Sequence, residues 1–314
     1  MPEAGTAVEA RELSEAPSLG KLYGRALAGS AVSALGAVPG SRALGRVPGL
    51  GRLRRPSGRP ELPATELVLA SVTADRDRLA AYDRLCGFRL RDELPATYPH
   101  LLAFPMSVEL MTDPAFPFGV LGLVHVRNRI TQRRQIRLHE PLTLRARADA
   151  LEPHERGTQF DMLVEATVDG ERVWEGRSTY LRREGGGSRS SDRHGEAEET
   201  PRPSATWTVP ADIGRRYAAV SGDRNPIHLH PLTARLLGMK RPIAHGMWLK
   251  ARCLGALEGT LPVAYSVDVR FKLPLPLPSR VAFSSREERG HRSFAVLRAR
   301  DGAPHLLGAV EGLA

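Results

Sequence analysis

The clearest alternation of apolar and polar side chains lies late in the chain, where Tyr265, Val267, Val269 and Phe271 interleave with Ser266, Asp268, Arg270 and Lys272. A two-residue period of this kind marks a strand with one buried face. Further strands are predicted over 206–209, 280–284, 294–300 and 306–310. Ahead of them, Ile243, Met247, Leu254 and Leu257 are spaced to line one side of a helix over 242–257, and a shorter helical stretch is predicted over 213–220. One central helix followed by antiparallel strands is an α+β unit in which a sheet wraps the helix.

Related patterning earlier in the chain points to duplication. Tyr82, Cys86 and Gly87 have the spacing Y-x-x-x-C-G, and Tyr217, Ser221 and Gly222 repeat it with Ser for Cys. Downstream, Asp169-Gly170 precedes Gly176 by the interval that separates Asp301-Gly302 from Gly308. Each Asp-Gly pair is a type I′ hairpin signal. Tyr82 to Gly170 and Tyr217 to Gly302 are nearly the same separation, so a repeated domain is expected. Residues 184–205 are rich in Gly, Ser, Glu and Pro with almost no apolar side chains, the composition of a flexible linker. These boundaries give an N-terminal extension over 1–61, a first domain over 62–183, the linker over 184–205 and a second domain over 206–314. Within the extension, 19–35 is a candidate amphipathic helix, whereas 38–60 holds too much Gly and Pro for one. The extension reads as loosely packed or docking chain, with an anionic surface as the other reading of its basic residues.

The length of 314 residues suits two domains. Hydrophobic residues at 41% and charged residues at 25% describe a globular chain and not a disordered one, and no apolar run is long enough for a membrane span. The net charge of +10 first suggests a polyanionic partner. Arg supplies nearly all of it, the lysines being Lys21, Lys240, Lys250 and Lys272, and aromatics are only 5% with no basic-aromatic interleaving of the kind that stacks bases, which argues against nucleic acid. Cys86 and Cys253 lie far apart, excluding a disulfide framework and a cysteine-based zinc site and favouring a reducing cytoplasmic compartment. Glu3, Glu9, Glu12 and Glu15 open the chain where a secretory signal would carry basic residues.

Candidate chemistry is concentrated in Tyr217 to His228, YAAVSGDRNPIH. The Asn225-Pro226 turn can bring Asp223 and His228 together, and a carboxylate with an imidazole aimed at one point is a general acid/base pair. The same residues also suit a plainer role, with the aspartate capping backbone amides in the turn and the histidine packed. Arg235, Lys240, Arg241 and Lys272 form a basic rim, readable as a solvated face or as contacts for phosphates or an acidic carrier.

The string Ser221-Gly222-Asp223-Arg224-Asn225-Pro226-Ile227-His228, followed by Pro242-Ile243-Ala244-His245-Gly246-Met247 and by Phe271-Lys272-Leu273-Pro274, resembles the signature of the MaoC-like (R)-specific enoyl-CoA hydratases and 3-hydroxyacyl-thioester dehydratases. The paired blocks resemble that family's double hot-dog subgroup. The resemblance implies an α+β double hot-dog fold and reversible (R)-specific hydration of trans-2-enoyl thioesters, or dehydration of (3R)-3-hydroxyacyl thioesters carried on CoA or acyl-carrier protein. Asp223 and His228 match the catalytic pair, the Gly246 N–H the group that receives the thioester oxygen, and Ser221 and Asn225 the braces of the loop. His245 is expected to be structural or pocket-lining. No metal or redox cofactor is implied. The first domain has Phe88 where Asp223 would align and Glu93 near the place of His228, and its stretch from Gly87 to His100 is shorter than that from Gly222 to His245. It therefore reads as a degenerate, non-catalytic hot-dog, with Pro105 breaking or displacing its central helix. A non-catalytic acyl-thioester binder or a synthase-associated module is the other class consistent with the residues, and an exposed sheet edge leaves a homodimer open.

Overall fold

A computed structural model describes residues 8–26, 60–120, 122–183 and 202–313. In chain order the elements are β1 (Glu9–Leu13), α1 (19–26), β2 (Thr65–Val72), α2 (Arg76–Cys86), α3 (Tyr98–Met111), β3 (Leu123–Gln132), β4 (Leu142–His154), β5 (Gly157–Val168) and β6 (Glu171–Arg183). They continue with β7 (Pro203–Val209), α4 (Ile213–Ser221), a 3-10 turn (Pro226–His228), α5 (Pro231–Leu236), α6 (Gly246–Leu257), β8 (Tyr265–Phe271), β9 (Ser279–Glu288), β10 (His291–Arg298) and β11 (Pro304–Gly312). No helix among the described residues is long and apolar enough to cross a membrane.

All the strands among the described residues join one 11-stranded sheet in the order β1-β2-β4-β5-β6-β3-β8-β11-β10-β9-β7. Each half uses the same plan: the second strand of its unit stands at the middle of the sheet, and the first, third, fourth and fifth follow in that order from the outer side inward. The halves meet where β3 pairs antiparallel with β8, from Arg127↔Arg270 to Gln132↔Tyr265. α3 in one half and α6 in the other are the helices the sheet wraps, and α3 buries side chains on nearly every side, among them Leu101, Ala103, Met106 and Val108. This is the double hot-dog architecture.

The repeated residues have common physical roles. Gly87 ends α2 and Gly222 ends α4, each in the left-handed region with its N–H returning to the helix, at Asp83 and Ala218 respectively. Tyr82 and Tyr217, both buried, approach each other with ring centroids 6.4 Å apart where the halves meet. Gly176 and Gly308 each lie beneath a ring. A Cβ on Gly176 would stand 2.4 Å from Trp174, and one on Gly308 would stand 2.3 Å from Phe294, its cross-strand partner.

Three expectations change. α3 runs unbroken through Pro105, because a helix buried on so many faces gains enough from packing to offset one missing N–H. Asp169-Gly170, between β5 and β6, forms the expected tight turn with both φ positive; Asp301-Gly302 occupies the equivalent connection between β10 and β11 but lies in a longer loop, and the second half makes its tight turn with both φ positive at Arg289-Gly290, between β9 and β10. β7 begins at Pro203, inside the stretch read as linker, and residues 184–201 lie outside the described residues. Of the extension, β1 adds in parallel to β2 and Leu22 is buried in the core, while 27–59 lie outside the described residues.

The Phe294 ring is fully enclosed, so Gly308→Ala is expected to destabilise the chain by about 1–3 kcal/mol through overpacking. Chemical denaturation measures it, and an unchanged midpoint would show that the ring has room to move.

Candidate active site

The site is built on the turn that follows α4. Ser221 Oγ donates to the Tyr217 carbonyl (2.8 Å) and accepts from the Asp223 N–H (3.1 Å), which fixes the chain as it leaves Gly222. Asn225 Oδ1 caps the 3-10 turn by accepting from the Ile227 N–H, and Pro226 supplies the preset φ at its start. Asp223 Oδ1 in turn accepts from the Asn225 N–H at 3.1 Å. Ser221 and Asn225 thus brace the loop from both ends. Support also comes from the other half: Arg78 on α2 donates to the Val220 carbonyl (2.7 Å) and the Ser221 carbonyl (3.4 Å), covering the end of α4.

His228 is oriented by its backbone neighbours. Its Nδ1 lies 2.8 Å from the Ile243 carbonyl, so Nδ1–H donates there and Nε2 carries the lone pair. The Ile243 N–H donates back to the Ile227 carbonyl at 3.1 Å. Ala244 and Leu277 then tie the approach to α6 to the 275–277 loop, through Ala244 N–H to the Leu275 carbonyl and Leu277 N–H to the Pro242 carbonyl. His245 caps α6 and stacks on His228 at 3.7 Å between ring centroids. Its Nε2–H donates to the Asp223 carbonyl at 3.0 Å, and Nε2 stands 3.8 Å from Oδ2 of the same residue. Gly246 is the first residue of α6, where helix geometry leaves N–H groups without an intrahelical acceptor.

Burial and charge set the ionisation states. Burial pushes the Asp223 carboxyl upward, but His245, His228, Tyr23 and the Asn225 N–H outweigh it and hold the group below its ordinary value. Burial pulls His228 down against the charge of Asp223. His245 is lowered to about 3 by burial and by His228. At neutral pH the site therefore holds one carboxylate between two neutral imidazoles. Potential ligand atoms of Asp223, His228 and His245 lie within 4.8 Å of one another, close enough for a water or a cation to bridge them. The family resemblance implies chemistry by protons alone, and no step below involves a metal.

The structure brings Asp223, His228, Ser221 and Asn225 together, with the start of α6 beside them. It does not bring Arg235, Lys240, Arg241 and Lys272 into the same cluster; they are exposed on the surrounding surface. His245 is closer to the chemistry than its place before a helix suggested. Tyr23 of α1, read only as part of the extension, donates to Asp223 Oδ1 at 2.7 Å. A further group was not legible either: His125 on β3 stacks on Tyr180 of β6 (4.7 Å) and His100 of α3 (6.4 Å), near enough to Asp223 to feel its charge. Nothing in the local sequence around these residues marks them.

Comparison with known proteins supplies the family. The family model described as "MaoC like domain" matches residues 192–299. The 3-hydroxyacyl-thioester dehydratase X of Mycobacterium tuberculosis is 35% identical over 261 residues, covering 81% of this chain and 91% of that protein. The crystal structure of HtdX from the same organism superposes with a TM-score of 0.71 at 33% identity, over 79% of this chain and all of that one. An (R)-specific enoyl-CoA hydratase from Aeromonas caviae is 41% identical over 63 residues, which is 19% of this chain and 47% of the hydratase. With this likeness extending over both halves of the sheet, the chain belongs to the MaoC-like dehydratase family.

Proposed function

We propose that the chain is an (R)-specific hydro-lyase of acyl thioesters, interconverting a (3R)-3-hydroxyacyl thioester with the trans-2-enoyl thioester and water. The observation that carries this reading is the presentation of one anionic and one neutral basic group at a single point beside a helix N-terminus: Asp223, tied through Oδ1, and His228, tied through Nδ1 so that Nε2 is the lone-pair nitrogen. The names of the relatives, a 3-hydroxyacyl-thioester dehydratase and an (R)-specific enoyl-CoA hydratase, support it.

In the dehydration direction the Asp223/His228 pair takes the proton from carbon 2, the electron pair moves toward the thioester oxygen, and the bond between carbon 3 and its hydroxyl breaks as that oxygen is protonated. Hydration runs the same steps backward through a water held between the pair. Enolate charge develops on the thioester oxygen, and the Gly246 N–H at the positive end of α6 is the donor suited to receive it. Ser221 and Asn225 act through the loop. The first half supplies the opposite wall and the Arg78 brace, not a second catalytic pair, since Phe88 and Glu93 replace those residues. CoA or an acyl-carrier protein brings phosphate to the site entrance, and the exposed Arg235, Lys240, Arg241 and Lys272 suit it. Two chains can associate through the outer side of β7, the last strand of the sheet among the described residues.

The test is loss of enoyl absorbance with crotonyl-, octenoyl- and hexadecenoyl-CoA. Asp223→Asn and His228→Ala are each expected to lower turnover by roughly 10²–10⁴-fold with the fold intact. Full hydration by both variants would leave acyl-thioester binding without turnover by this pair as the surviving reading. The pH profile offers an independent check. His228 is pulled below the ordinary histidine value and Asp223 stays ionised, so the midpoint of the acid limb of kcat/KM is expected to lie below about pH 6.5, the ordinary histidine value. An acid limb centred at or above about pH 6.5 would contradict the buried, neutral His228.

A further inference from the structure

Tyr23 belongs to neither repeat, yet its hydroxyl reaches the candidate catalytic carboxylate across 200 positions of sequence. Oδ1 of Asp223 accepts from Tyr23 Oη at 2.7 Å and from the Asn225 N–H at 3.1 Å, while Oδ2 is the oxygen on the His245 side. One oxygen is thereby anchored from two directions and the other is left to address reacting atoms.

The segment that delivers Tyr23 is built into the fold. β1 pairs with β2 from Glu9↔Thr65 to Leu13↔Leu69, and the Glu9 N–H donates to the Ala64 carbonyl. Arg11 and Arg25, on either side of Tyr23 in sequence, both reach Glu109 of α3, at 3.5 Å and 2.7 Å. Leu22 is 1% exposed within the core, and Leu19 packs so closely over Gly222 that a Cβ there would stand 2.5 Å from its Cδ1. The tyrosine is thus held in place before any substrate arrives, which lowers the entropic cost of the hydrogen bond.

We infer that Tyr23 is a positioning residue for the thioester chemistry: its hydroxyl fixes the Oδ1 side of Asp223, which makes the N-terminal segment part of the active site. The inference rests on the hydro-lyase reading for the reaction it serves. Burial and the neighbouring carboxylate both push the Tyr23 phenol upward, so it stays protonated and donates throughout the working range. Other titratable groups facing Asp223 are Tyr217 on α4, His228 in the 3-10 turn, His245 at the start of α6, His100 on α3, His125 on β3 and Tyr180 on β6. Burial lowers the four histidines, His100 to about 4 and His125 to about 3, and raises the two tyrosines. None of them supplies a cation at neutral pH to replace the lost donor.

Tyr23→Phe keeps the ring and removes the hydroxyl. Two readouts test it on the full chain. In protein labelled with ¹³C at aspartate Cγ, with the Asp223 signal assigned through Asp223→Asn, the Asp223 titration is expected to move to higher pH in Tyr23→Phe, because the carboxylate loses a donor that favours its charged form. In crotonyl-CoA hydration, kcat is expected to fall roughly tenfold or more with KM little changed, the size of one lost charge-assisted hydrogen bond, and the acid limb of kcat/KM is expected to move up in pH. An Asp223 titration that stays in place, or a variant faster than the unaltered chain, would overturn the inference, the second outcome making Tyr23 a plug. If the unaltered chain hydrates no enoyl thioester while the titration still shifts, the carboxylate is positioned as inferred and the hydro-lyase reading is the one that fails.

Discussion

The pairing of β3 with β8 is the constraint from which the rest of the molecule follows. It turns two sheets, each too small to enclose its helix and an acyl site, into one continuous surface with α3 and α6 against it. The seam is unusually polar for a buried place. Thr131 and Ser266 share a hydrogen bond of 2.8 Å, Arg127 pairs with Asp268 at its edge, and Lys250 reaches from α6 to the Asn128 carbonyl, the Asn128 side chain and the Val267 carbonyl. Burial pulls Lys250 far below the ordinary lysine value, with Asp268 pulling the other way. Such groups are costly unless every partner is in place, so they favour one register over its neighbours.

With the seam set, the halves divide the work. The second half carries the turn with Asp223 and His228, and the first half holds that turn from behind through Arg78 and brings His100, His125 and Tyr180 near enough to feel the charge of Asp223. The tyrosines of the two repeats, Tyr82 and Tyr217, meet between them. The first half, which has Phe88 and Glu93 where Asp223 and His228 would align, is therefore not a passive remnant. Its buried rings surround a carboxylate that remains ionised among neutral imidazoles, and burial strengthens the interaction of every charge placed there.

Much of this was legible in the sequence, for identifiable reasons. The strand alternation at 265–272 and the helix at 242–257 were readable because each buries a single face at its own period. Asp223, His228, Ser221 and Asn225 were readable because the turn that joins them is local. The repeated glycines were visible as a spacing, and the structure supplies the cause: a left-handed helix end at Gly87 and Gly222, and a ring overhead at Gly176 and Gly308. What escaped was decided by tertiary context. Pro105 was expected to break a helix, but packing around α3 outweighed local preference. Asp301-Gly302 carried a hairpin signal, yet Arg289-Gly290 made the second tight turn. Tyr23 was hidden because nothing in an Arg-, Gly- and Leu-rich extension reports a partner 200 residues away.

The polar seam also bears on how the chain is made. Every contact across it joins residues far apart in sequence, Arg127 with Arg270 at one end and Gln132 with Tyr265 at the other. While the chain is being synthesised, the first half is complete, with the edge of β3 uncovered, before β8 has emerged. An uncovered strand edge can pair with any other strand. On β3 the side chains that the finished sheet buries include Asn128, Thr131 and Gln132, which in the finished sheet bond Lys250, Ser266 and the Val263 carbonyl of the second half. The residues that lock the two halves together are thus also the ones that keep the unfinished half from settling with a wrong neighbour.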